Sequence, residues 1–131
     1  MSYQGKSLLL VDDDVDLLDQ LSMQLAALGF DIIKADGQSA AEAILEQRRP
    51  DIAVVDLMME HEDSGFVLAH RIKKRYAKTP VIVVTAVTSE LGLEFGAATA
   101  EERSWVRADA LLNKPVRMEQ LQRELDRLLA D

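Results

Sequence analysis

Ser7-Leu8-Leu9-Leu10-Val11 runs straight into Asp12-Asp13-Asp14, and Asp51-Ile52-Ala53-Val54-Val55-Asp56 repeats the pattern of an apolar run stopped by acid. Neither run alternates apolar with polar residues, which is the mark of a strand covered on both faces. Pro80-Val81-Ile82-Val83-Val84-Thr85 reads the same way, Ala110-Leu111-Leu112 is a shorter version, and Phe30 to Ala35 is a fifth candidate. Helical periods lie between them. Val15, Leu18, Leu21, Leu25 and Leu28 recur on one helical stripe, with Gly29 placed to cap it. Ser39-Ala40-Ala41-Glu42 has the form of a capping box and opens a helix that must end by Arg49-Pro50. A third helix runs from Ser64 or Phe66 to Tyr76. The last runs from Arg117 to Leu129, with Met118, Leu121, Leu125, Leu128 and Leu129 on its apolar stripe. Ala86 to Ala108 reads as loop plus one helix near Glu101 to Val106. Strands alternating with helices predict a parallel sheet with helices on both faces and right-handed crossovers.

Composition narrows the function. A chain of 131 residues, 48% of them hydrophobic, makes one domain with a real core. Three Phe, two Tyr and one Trp predict that this core is aliphatic. A net charge of −8 argues against binding nucleic acid. Zero cysteines exclude disulfides, thiolate metal sites and a cysteine nucleophile. The start of the chain lacks the apolar stretch of a signal peptide, and no apolar run is long enough to span a bilayer. A cytoplasmic protein without a membrane partner is expected.

In parallel sheets of this kind, ligands bind beyond the carboxyl ends of the strands. Those ends carry Asp12 and Asp13, Asp56, Thr85 and, just past the fifth strand, Lys114. Three carboxylates and one lysine leave a surplus of negative charge that one divalent cation balances. Hard oxygen ligands with no His or Cys beside them favour Mg2+ over zinc. A carboxylate next to a metal, a hydroxyl and a lysine is equipped to accept a phosphoryl group. Asp56 is the expected nucleophile, with Thr85 and Lys114 stabilising the phosphoryl oxygens. Asp14 and Asp16 are expected as helix N-terminal charges. His61 and His70 are expected to be solvent-exposed, and the five methionines to be core or loop filler.

Val11-Asp12-Asp13, Val55-Asp56, Val84-Thr85-Ala86 and Asn113-Lys114-Pro115, taken in order, resemble the signatures of two-component response-regulator receiver domains. The resemblance spans essentially the whole chain. It implies a flavodoxin-like (βα)5 fold with sheet order 2-1-3-4-5, forming a single receiver domain over residues 1–131 with no output domain. It further implies that Asp13, Asp56 and the main-chain carbonyl of Met58 bind Mg2+ directly, Asp12 mainly through water, and that the Lys114-Pro115 bond is cis. The expected partners are a sensor histidine kinase and either a histidine phosphotransfer protein or a phosphatase. Nothing in the sequence fixes the oligomeric state.

The chain departs from that family in three places. Glu60 stands where receivers usually have proline, in a loop one residue longer that also carries His61, Glu62 and Asp63. Leu111 replaces the usual switching aromatic. The stretch between Thr85 and Lys114 is long, and holds Gly92, Gly96 and the single tryptophan, Trp105. Three other readings compete. An aspartyl-nucleophile phosphatase fits the Asp-x-Asp within Asp12-Asp13-Asp14, but the Gly and Thr expected after it are missing. A flavin-binding protein would need a phosphate loop where this chain has three aspartates. A degenerate receiver could serve as a constitutive binding module, against which the complete acceptor set argues.

Overall fold

The computed structural model describes residues 3–59, 64–85, 108–114 and 116–129. Its elements run β1 (Ser7–Val11), α1 (Val15–Ala27), β2 (Asp31–Ala35), α2 (Gln38–Leu45), β3 (Ile52–Asp56), α3 (Ser64–Arg75), β4 (Val81–Thr85), β5 (Ala110–Asn113) and α4 (Met118–Leu128). All five strands are parallel, in the order β2-β1-β3-β4-β5. The expected sheet order and fold class hold. The helix expected near Glu101 to Val106, together with Gly92, Gly96, Trp105, the loop at 60–63 and Pro115, lies outside the described residues.

The unbroken apolar runs are explained by burial on both faces of the sheet. Leu8, Leu10, Ile52, Val54, Ile82 and Val84 pack with Leu18, Leu21 and Leu25 of α1 and Leu121 and Leu125 of α4. Leu9, Val11, Ala53, Val55, Val81 and Val83 face the other way, onto Leu45 of α2 and Leu68 and Ile72 of α3. Successive strand residues thus feed opposite cores, as the strand's period of two dictates. Burying each Leu, Ile or Val is worth roughly 1.5–3 kcal/mol.

Several expectations shift at the edges. Gly29 takes φ +110 just past α1, where its N–H donates to the Ala26 carbonyl, so the capping glycine is where the pattern put it. A Cβ there would also lie 3.1 Å from the Gln4 nitrogen. The capping box does not form. Helix α2 begins at Gln38 after Gly37, with no side-chain cap, and Ser39 lies inside it. Glu42, the residue meant to close the box, is instead held by Gln38 and by Arg71 of α3. Val15, placed by periodicity on the buried stripe, is 55% exposed, and Met23 is 74% exposed rather than filler.

The aliphatic core also has an aromatic corner. Tyr3 is buried, its ring stacked on Phe30 at 4.6 Å, and its hydroxyl donates to Asp126 of α4. Burial first, and then the hydrogen bond and charge of Asp126, push the phenol up to about 12.

Candidate functional site: an acidic cluster at the strand ends

Strand register brings the predicted residues to one rim of the sheet. Val11 pairs with Val55, Asp56 with Val84 and Thr85 with Asn113, so each acidic or polar end sits beside the next. The backbone continues that pairing past the strands. The Asp12 N–H donates to the Ala35 carbonyl, Leu57 N–H to Val84, and Lys114 N–H to Thr85.

Asp12, Asp13 and Asp56 each offer a carboxylate oxygen, and the three oxygens lie within 4.8 Å of one another. Asp12 and Asp56 are buried, while Asp13 is exposed and opens the cluster to solvent. Lys114 Nζ lies 3.1 Å from Asp56 Oδ1 and 3.4 Å from Asp12 Oδ2. At that spacing and an effective dielectric near 20, each pair of like charges repels by roughly 3–4 kcal/mol. Lys114 still leaves the three carboxylates with two surplus negative charges. Burial, followed by the charge of Asp12, pushes the Asp56 carboxyl up to about 6, against the opposing pull of Lys114. Burial lowers Lys114, but the charges of Asp56 and Asp12 outweigh it, and the ammonium ends above its ordinary value.

Local geometry fixes the two buried acids. The Asp14 N–H donates to Asp12 Oδ1 at 2.9 Å, locking that side chain in a turn. Asp14 itself caps α1 by accepting from the Leu17 N–H, and Asp16 lies in the helix's first turn, as expected. Asp56 is held from behind by α3. The Gly65 N–H donates to the Leu57 carbonyl at 2.7 Å, and a Cβ on Gly65 would lie 2.5 Å from the Asp56 carbonyl oxygen. No side chain fits there. Sequence reasoning missed this contact.

Thr85 ends β4 and is buried. Met58 stands at the rim, 36% exposed, two residues beyond Asp56. His70 is exposed on the middle of α3, whereas His61 is outside the described residues. Leu111 is partly buried in β5 and packs with the α2–α3 core.

A family model described as the response regulator receiver domain matches residues 8–126. The chain belongs to that family. Receiver domains are signalling modules of two-component systems, and neither the hydrolase nor the flavin reading has support beside this match. The phosphate regulon transcriptional regulatory protein PhoB of Pseudomonas aeruginosa is 32% identical over 99 residues, covering 71% of this chain and 43% of PhoB. This chain thus spans less than half the length of the curated relatives it matches. Among solved structures, the chemotaxis response regulator CheY4 of Vibrio cholerae superposes with a TM-score of 0.77 at 26% identity, over 95% of this chain and 98% of that one. The response regulator TrrA of Thermotoga maritima, solved in complex with Mg2+–BeF, gives 0.73 at 23% identity, over 95% and 99%. No helix among the described residues of this receiver is long and apolar enough to cross a membrane.

Proposed function

We propose that this receiver takes a phosphoryl group onto Asp56 from a phosphohistidine of a sensor histidine kinase, with Mg2+ bound beside the acceptor. One observation carries the reading: three carboxylates within 4.8 Å, two of them buried, around a single lysine. The donor set fits the ion, because it is all oxygen and holds more negative charge than Lys114 balances. Asp13, Asp56 and the Met58 main-chain carbonyl would hold it directly, and Asp12 through water. When bound, the cation supplies neutralisation of the phosphoryl oxygens. TrrA, in complex with Mg2+–BeF, offers a parallel in a protein of the same fold.

The protein's own groups do the rest. An Asp56 oxygen attacks phosphorus in line; the O–P bond forms as the P–N bond breaks, and the imidazole leaves with the electron pair. With its carboxyl at about 6, Asp56 is largely ionised at neutral pH and ready to attack. Lys114, already 3.1 Å from the acceptor oxygen, pairs with one phosphoryl oxygen, and the Thr85 hydroxyl donates to another. The signal then passes by protein contact, to a target or onward to a histidine phosphotransfer protein, and a partner phosphatase can erase it. Incubation with acetyl phosphate and Mg2+ should add one phosphoryl group, and Asp56→Asn should abolish it. Label persisting on that variant refutes the assignment.

A further inference from the structure

Lys114 reaches the acceptor from the least anchored strand of the sheet. β5 is an edge strand of four residues, only partly buried, and among the described residues it pairs with β4 alone. Its apolar residues do little to fix its register. Leu111 faces one core and Leu112 the other, so a slip by one residue exchanges leucine for leucine between the faces. The same slip moves Lys114 by about 3.3 Å. Its Nζ lies 3.1 Å from Asp56 Oδ1. A misplacement of about 1 Å at a reacting centre can cost roughly a hundredfold in rate. Directional contacts must therefore set where β5 begins.

Asp109, the residue before β5, makes them. Its N–H donates to the Val81 carbonyl at 2.8 Å, and the Val81 N–H donates back to Asp109 Oδ2 at 2.7 Å. The carboxylate thus takes the β4 donor that a longer strand would meet with a main-chain carbonyl. Lys73 Nζ of α3 lies 2.7 Å from the same Oδ2, with the two side chains 17% and 32% exposed, so the pair is partly sheltered from solvent. Arg127 of α4 donates to the Asp109 carbonyl at 3.2 Å. β4, α3 and α4 therefore all hold one residue, at the edge of the sheet away from the acidic cluster. From Asp109 to Lys114 the chain spans roughly 16 Å, so Asp109 touches none of the reacting groups. Helix α3 closes the circuit: Gly65 packs on the Asp56 backbone while Lys73 grips Asp109.

We propose that Asp109 is a positioning residue for phosphoryl transfer: its carboxylate sets the register of β5 and so delivers Lys114 to the acceptor. The inference rests on the reading of Asp56 as acceptor and Lys114 as the cation that meets the phosphoryl oxygens. Hydrogen-bond geometry matters more here than charge. Asparagine keeps an oxygen for the Val81 N–H and gives up the ion pair with Lys73, whereas alanine gives up both. Glutamate keeps the charge but moves its oxygens by one methylene. A register clamp therefore ranks asparagine close to aspartate, with glutamate and alanine below. The residues proposed to hold Mg2+ follow β1 and β3, so the clamp is not needed for metal binding.

The test compares the full native chain with Asp109→Ala, Asp109→Asn, Asp109→Glu, Lys114→Ala and the double variant Asp109→Ala/Lys114→Ala, at a temperature where urea unfolding shows each to be folded. The Lys114 N–H, which donates to the Thr85 carbonyl, should exchange with solvent about tenfold faster in Asp109→Ala and near the native rate in Asp109→Asn. Phosphorylation by acetyl phosphate at saturating Mg2+ should slow about fivefold or more in Asp109→Ala, with Mg2+ bound no more weakly and most of the rate restored by asparagine. Asp109→Glu should also be slowed, and it replaces alanine in every comparison if that variant does not fold. On the Lys114→Ala background the Asp109 substitution should change the rate less than about twofold, whereas a role in stability alone slows both backgrounds equally. Native protection of the Lys114 amide in Asp109→Ala, additive losses in the double variant, or asparagine no better than alanine would each overturn the proposal. A native chain that accepts no phosphoryl group sinks the acceptor assignment instead, and the exchange rates still decide whether Asp109 holds Lys114.

Discussion

Replacing Asp56 with asparagine should stabilise the metal-free protein at neutral pH and lose that advantage in acid. Burial and the charge of Asp12 raise the Asp56 carboxyl from 3.8 to about 6, net of its 3.1 Å pair with Lys114. Protonation therefore favours the folded state. The stability it contributes is fully present below about pH 3.8 and is lost as pH rises through about 6. The whole shift corresponds to about 3 kcal/mol. Solvent entering past exposed Asp13 screens the site, which reduces the expected effect to about 1–2 kcal/mol. Asparagine keeps the shape and removes the charge, so in EDTA at pH 7.5 its Tm should rise by roughly 3–8 °C. The assay is thermal and urea unfolding of both proteins from pH 3.5 to 8. Carboxylates remote from the cluster titrate alike in each and drop out of the difference. Added Mg2+ should then stabilise the native chain more than the variant. A variant that is less stable in EDTA at pH 7.5, or a difference that does not shrink in acid, refutes the electrostatic account.

Asp13→Asn should relieve less strain, under about 1 kcal/mol because the side chain is exposed, yet weaken Mg2+ at least several-fold by calorimetric titration. Gly65→Ala must move α3 or the Asp56 backbone, given a Cβ 2.5 Å from the Asp56 carbonyl oxygen. It should cost about 2–4 kcal/mol in urea unfolding and slow phosphorylation, and a neutral substitution would mean the helix end yields freely. Met58→Asn, at the exposed rim two residues past the acceptor, should shorten the acyl-phosphate lifetime several-fold by helping to hold the hydrolytic water. Equal lifetimes would remove Met58 from control of hydrolysis. Tyr3→Phe keeps the stack on Phe30 but loses the bond to Asp126, and should cost about 0.5–1.5 kcal/mol.

The central strands announced themselves because residues such as Leu8 to Val11 and Ala53 to Val55 must satisfy two cores at once. That demand leaves no polar residue until the strand ends. The acidic rim was legible for the same reason: Asp12 and Asp56 are where the apolar run stops. What stayed hidden depends on partners far away in sequence. Tyr3 stands among polar residues, and only Phe30 and Asp126 give it a buried place. Ser39 and Glu42 look like a capping box, but Arg71, a helix away, competes for the carboxylate. Val15 obeys the apolar pattern without being buried, because a period reports spacing and cannot tell how far the neighbouring layer extends.

The contact between Tyr3 and Asp126 joins residues 123 positions apart in the chain. Loop-closure entropy grows only slowly with length, so such a contact is affordable in equilibrium terms, but on the folding path almost everything between its partners must already be in place. It is thus expected to form late and to contribute little to the transition state. Losing it should hasten unfolding while leaving the refolding rate nearly untouched. A chevron plot of Tyr3→Phe would show the change in the unfolding arm alone, which makes this corner of the molecule a clock for the final step of its assembly.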